Sequence, residues 1–126
     1  MFAQIVIGSN DIAAARKFYD AVLATVGVPG GIFNKEIQRI YYRTSDGTFV
    51  VTKPADGNSA TVANGGTLGF KCKTPEQAKA FHDAAVANGG VSIEDPPGWR
   101  NLGERKVYLA YVRDPSGHKL CATHYA

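Results

Sequence analysis

An internal repeat constrains this chain more than any other feature of its sequence. Sliding residues 5–28, IVIGSNDIAAARKFYDAVLATVGV, by 63 positions onto residues 68–91, LGFKCKTPEQAKAFHDAAVANGGV, aligns Ala15 with Ala78, Phe18 with Phe81 and Asp20 with Asp83. Ala21 also falls on Ala84, Gly27 on Gly90 and Val28 on Val91. Such self-similarity means one supersecondary unit used twice. Whatever the first copy folds into, the second is expected to repeat.

Each copy has the same internal order. In the first, Ile12, Ala15, Phe18, Tyr19, Val22, Leu23 and Val26 follow the 3.6-residue period of an amphipathic helix, with Asn10 or Asp11 placed to cap it. In the second, Thr74-Pro75-Glu76-Gln77 reads as a capping box with Pro at the first helical position, and Asn88-Gly89-Gly90 as the stop. After each helix the period becomes two. Residues 37–43 and 48–53 flank Ser45-Asp46-Gly47, and residues 107–113 and 118–124 flank Asp114-Pro115-Ser116-Gly117, so two hairpins are predicted. A short apolar run precedes each hairpin, near 28–33 and 91–94. The fold class is therefore α+β, with two tandem βαβββ modules: module one 1–54, linker 55–66, module two 67–126.

Composition narrows the function. At 126 residues the chain buries roughly two-thirds of its unfolded surface, enough for a core without disulfide or structural metal. Cys72 and Cys121 form no CxxC or Cys/His cluster, and reduced thiols are expected. No apolar run approaches the ~20 residues that cross a bilayer, and the first residues lack a basic region before an apolar one. The expectation is a cytoplasmic protein with no membrane partner. The net charge of +3 is spread along the chain, which argues against a nucleic-acid partner.

Three segments carry a resemblance: the opening NDIAAARKFYDAVLATVG, the second GTLGFKCKTPEQAKAFHDAAVANGG, and PPGWR followed by YLAYVRDPSGHKL. With these the chain resembles the small bacterial glyoxalase/bleomycin-resistance/dioxygenase proteins of the vicinal-oxygen-chelate superfamily. The resemblance implies two four-stranded sheets curled into a half-barrel cleft and a homodimer. It also implies up to four metal ligands, from the first and last strand of each module. By register to Asp11 and the 63-residue repeat, the first-strand positions fall on Gln4 and Thr67. Counting from turn glycines Gly117 and Gly47 places the last-strand positions at Cys121 and Val51. An amide, a hydroxyl, a thiol and an isopropyl group make a poor shell for Zn, Ni, Mn or Fe, so no metal and no cofactor are expected. His82, His118 and His124 fall on none of these positions.

The implied cleft has further candidates. Tyr41 and Tyr111 are equivalent in the two hairpins and suit an apolar wall with a phenol tip, although packing on the sheet is an equal alternative. The segment 96–105 reads as a loop peculiar to module two, in which Trp99 would line the cleft and Arg100 would clamp a carboxylate. Cys121 and Tyr111 are weak catalytic candidates, since no base is assigned to the thiol. Three functions stay open. One is a metal-free protein binding a small organic ligand. Another is a metal-dependent lyase, isomerase or dioxygenase, and the third a metal-independent enzyme using Cys121, Tyr111 or Arg100.

Overall fold

In the computed structural model, which describes residues 1–126, both copies fold as their periodicity predicts. Module one runs β1 (Gln4–Gly8), α1 (Ile12–Ala24), β2 (Ile32–Asn34), β3 (Arg39–Thr44) and β4 (Gly47–Thr52). Module two runs β5 (Leu68–Lys71), α2 (Pro75–Ala87), β6 (Val91–Leu102), β7 (Arg105–Arg113) and β8 (Lys119–Tyr125). The sheets have orders β1-β4-β3-β2 and β5-β8-β7-β6 and share no strand. In each, the first strand pairs parallel with the last and the rest are antiparallel. No helix is long and apolar enough to cross a membrane.

Both helices start on the caps available to them. Asp11 accepts the Ala14 amide at 3.0 Å, while neighbouring Asn10 instead grips the Ala60 backbone, tying down the linker. Thr74 accepts the Gln77 amide at 3.0 Å, and the Gln77 side chain returns to the Lys73 amide, one residue before the usual capping-box partner.

A single core joins the modules. Ala15, Phe18, Tyr19, Val22 and Leu23 of α1, Ala78, Phe81 and Ala85 of α2, and inward residues of both sheets form one buried cluster. A chain of rings crosses it, from Tyr19 to Phe49 at 5.0 Å, Phe49 to Phe70 at 5.6 Å and Phe70 to Phe81 at 5.3 Å. Polar ties reinforce the junction. The Tyr19 hydroxyl donates to Asp114 at 2.6 Å, and His118 Nε2 donates to the Gly8 carbonyl at 2.7 Å. Because the helices cover one side of each sheet, the other side is left open, and alternation decides which residues face it.

The two glycines matched by the repeat serve different ends. Gly27 has φ +81° with open space around it, whereas a Cβ on Gly90 would lie 2.7 Å from the Phe18 ring and under 3 Å from the carbonyls of Ala85 and Arg113. Gly90→Ala should cost about 1–3 kcal/mol through overpacking between modules. Gly27→Ala should cost about 1–2 kcal/mol from backbone strain alone. Urea titration of both variants checks this: a lowered midpoint is expected for each, and added bulk beyond alanine should worsen only the Gly90 series.

One segment departs from expectation. Residues 96–105 are not a loop but the outer half of β6, its turn and the first residue of β7. The ladder to β7 breaks between Ile93 and Gly98, and Pro96 and Pro97, which cannot donate to a ladder, fall in that break. Glu94 takes φ 58° there, and Gly103 at φ +63° opens the two-residue turn into β7.

Candidate functional site

The open face of the first sheet is a grid of side chains set by strand register. Tyr41 pairs with Val50, and Val50 with Val6, making an apolar middle row that Ile32 extends on β2. On one side lies Arg43-Thr48-Gln4, on the other Asn34-Arg39-Thr52-Gly8. Arg39 and Arg43 stand at either side of Tyr41, their guanidinium carbons 5.4 and 4.5 Å from its ring centre. A depression of about 480 Å³ at this edge is lined by Ile32, Phe33, Tyr41, Arg43 and the β2–β3 connection. Neither arginine joins any of the four ion pairs of the chain. These two were not singled out from sequence, although the alternation of RIYYR puts them on the Tyr41 face.

The register also corrects a predicted position. Val51 pairs with Ile7 and belongs to the core cluster beneath the helices, so it does not face the open side; Val50, itself fully buried, points that way. Equating Gly47 with Gly117 caused the slip. The first hairpin closes at Thr44 and Gly47, the second only at Arg113 and Lys119, so the two glycines occupy different places in their turns. A one-residue shift in a strand reverses the face of every side chain.

On the second sheet the equivalent face carries Tyr111 beside Cys121, with Gly69 next to Cys121 and Ile93 next to Tyr111. Thr67 is exposed just ahead of β5. The Cys121 thiol is buried, 3.4 Å from the Thr123 hydroxyl. Burial first, then the adjacent Cys121 sulfur and its hydrogen bond, push the Tyr111 phenol above its ordinary range. Lys119 lies 4.8 Å from the Tyr111 ring centre and pairs with Glu94.

Arg100 shares this face through its pairing with Val107, but its guanidinium donates to the Pro96 carbonyl at 2.7 Å within its own hairpin. Trp99 does not share it. Pairing with Tyr108 turns Trp99 to the helix side, where its ring packs edge-on against Tyr108 and His124 under the Lys106 ammonium. The expectation that Trp99 lines the cleft is therefore corrected by strand parity.

The metal-ligand positions become Gln4, Val50, Thr67 and Cys121. An amide, a hydrocarbon, a hydroxyl and a thiol do not fit a divalent transition metal, and no three His, Cys, Asp or Glu residues are grouped to hold one. The histidines are engaged elsewhere: His82 Nε2 with Ser92 at 2.8 Å, His118 with Gly8, and His124 Nδ1 with the Cys72 carbonyl at 3.1 Å.

Comparison with known proteins agrees with this architecture. Residues 2–122 match the family model described as Glyoxalase/Bleomycin resistance protein/Dioxygenase superfamily. The chain is similar to a glyoxalase/bleomycin resistance protein from Albidiferax ferrireducens T118, with 50% identity, TM-score 0.94 and 98% of each chain covered. At 18% identity it shares its fold with a glyoxalase-related enzyme from Fulvimarina pelagi, at TM-score 0.74 over 98% of this chain and 87% of that one. The same identity and fold hold for a glyoxalase/bleomycin resistance protein/dioxygenase family enzyme from Burkholderia phytofirmans PsJN, at TM-score 0.73 over 98% of each. No curated protein matches the chain. With nearly its whole length matched, the chain belongs to the glyoxalase/bleomycin resistance protein/dioxygenase superfamily.

Proposed function

We propose that this protein binds a small organic molecule on the open sheet faces without a metal. The observation that carries the reading is the donor set Gln4, Val50, Thr67 and Cys121. Lewis-acid chemistry of the glyoxalase kind needs several strong donors and a carboxylate to move the proton, and these positions supply neither. Cys121 and Tyr111 support binding better than catalysis. The one carboxylate near them, Glu94, is already paired with Lys119, and no imidazole adjoins the thiol.

A homodimer belongs to the same reading. Gln4, Val6 and Ile32 of the first face are exposed in the single chain, and a second copy would enclose such a surface. Light scattering should then return twice 13.5 kDa, or 27 kDa.

Elemental analysis after mild purification is expected to find no stoichiometric transition metal, and added Ni²⁺, Zn²⁺ or Mn²⁺ should produce no glutathione-hemithioacetal isomerase activity. One equivalent of metal lost together with activity on chelation would overturn the metal-free part. A thermal-shift panel of metabolites and aromatic antibiotics tests the binding part, because a ligand at 100 times its Kd stabilises by about 2.7 kcal/mol. A panel without any stabilising compound would count against it.

A further inference from the structure

The two open faces differ at one decisive position. Under the hairpin equivalence that matches Tyr41 with Tyr111, Arg43 matches Arg113, but Arg39 matches Leu109. Leu109 is buried with Val107 and Cys121 in a small second core, so module two has an aliphatic side chain where module one has a cation. The module-one face instead presents two cations on either side of an aromatic ring. Its three rows, Ile32-Tyr41-Val50-Val6, Arg43-Thr48-Gln4 and Asn34-Arg39-Thr52-Gly8, contain no acidic residue. At the adjoining depression Glu36 is offset by Lys35.

Arg39 supplies a second, independent observation. Its Nε–H is buried and has no hydrogen-bond partner. Buried donors are nearly always paired, and leaving one unmade is costly. Turning this guanidinium toward an incoming oxygen gives up no hydrogen bond at Nε and gains a charge-assisted one. Arginine suits a carboxylate because its donors form a planar fork. Val50 is fully buried, so the accessible apolar part of the middle row beside the depression is the paired Ile32 and Tyr41, on strands about 4.8 Å apart.

We propose that the open face of β1–β4 selects a flat organic carboxylate, its apolar body on Ile32 and Tyr41 and its charge held by Arg39 and Arg43; this rests on the small-molecule reading above. The pair 2-naphthoate and 2-naphthamide shares one ring system and differs in charge. Titrated into the full chain by calorimetry, naphthoate should bind about tenfold or more tighter than the amide. Arg39→Gln and Arg43→Gln should each weaken naphthoate about tenfold and the amide by a clearly smaller factor, while Arg39→Lys should restore only part of the loss.

Thermal melts of the variants check folding. If Arg39→Gln is destabilised, the exposed Arg43→Gln decides. Equal binding of acid and amide, or naphthoate affinity that survives both substitutions, would overturn the carboxylate assignment and leave small-molecule binding standing. Absence of binding by either probe at millimolar concentration would also overturn the assignment, and the metabolite panel then judges the broader reading separately.

Discussion

Replacing Asp114 with alanine is expected to lower stability by about 3–5 kcal/mol, the cost of three donors left unmet, enough to remove much of the margin of a domain this size. The carboxylate is buried at the turn between β7 and β8 and has three partners. One oxygen accepts the Tyr19 hydroxyl at 2.6 Å, and the other accepts the amides of Ser116 and His118 at 2.9 Å each. Alanine leaves all three donors without that acceptor, the Tyr19 hydroxyl in the buried core and the two amides in a half-buried turn. Tyr19→Phe removes one partner and leaves the carboxylate its two amides, so its cost should be about 1.5–3 kcal/mol. Urea denaturation of both single variants and the double checks the assignment. Sub-additive losses are expected, because the two residues share one hydrogen bond. A cost for Asp114→Ala below that of Tyr19→Phe would show that the turn amides find other acceptors.

Above about pH 10 the protein should lose stability steeply. The Tyr19 phenol is raised well above its ordinary value by burial and then by the Asp114 charge, and Tyr42 is raised by burial and then by its 2.8 Å hydrogen bond to Asp20. In the unfolded chain both ionise near pH 10. Their stabilising contribution is thus complete below pH 10. Above it the unfolded state sheds protons that the folded state retains, which favours unfolding by about 1.4 kcal/mol per pH unit for each phenol. Cys72, raised by burial from 9.0, acts in the same sense from a lower pH. Stability measured from pH 9 to pH 12 should fall for the wild type, with a slope about 1.4 kcal/mol per unit shallower in Tyr42→Phe. Equal slopes would mean that Tyr42 ionises without unfolding.

These two predictions concern contacts that local pattern does not reveal. Tyr19 shows in sequence as a core position of an amphipathic helix, and Asp114 as the first residue of a turn; nothing in either segment says they meet 95 residues apart. Gly27 and Gly90 look alike under the repeat, yet only Gly90 is pressed by Phe18 of the other module.

What the sequence determined by itself is what depends on near neighbours. The 63-residue repeat, the period of each helix, the Thr74 cap and the alternation within each strand all arise from steric and hydrogen-bonding preferences over a few residues. They suffice for two βαβββ modules and for the family. Alternation also held enough to place Arg39, Tyr41 and Arg43 on one face, once one of them is located. The tertiary structure decided what depends on pairing between distant strands. The different turn closures put Val50 rather than Val51 on the open face, the β6–β7 ladder drew residues 96–102 into a strand, and its register turned Trp99 toward the helices. Register is a choice among ladders of similar local quality, and it is settled by which side chains the shared core can bury.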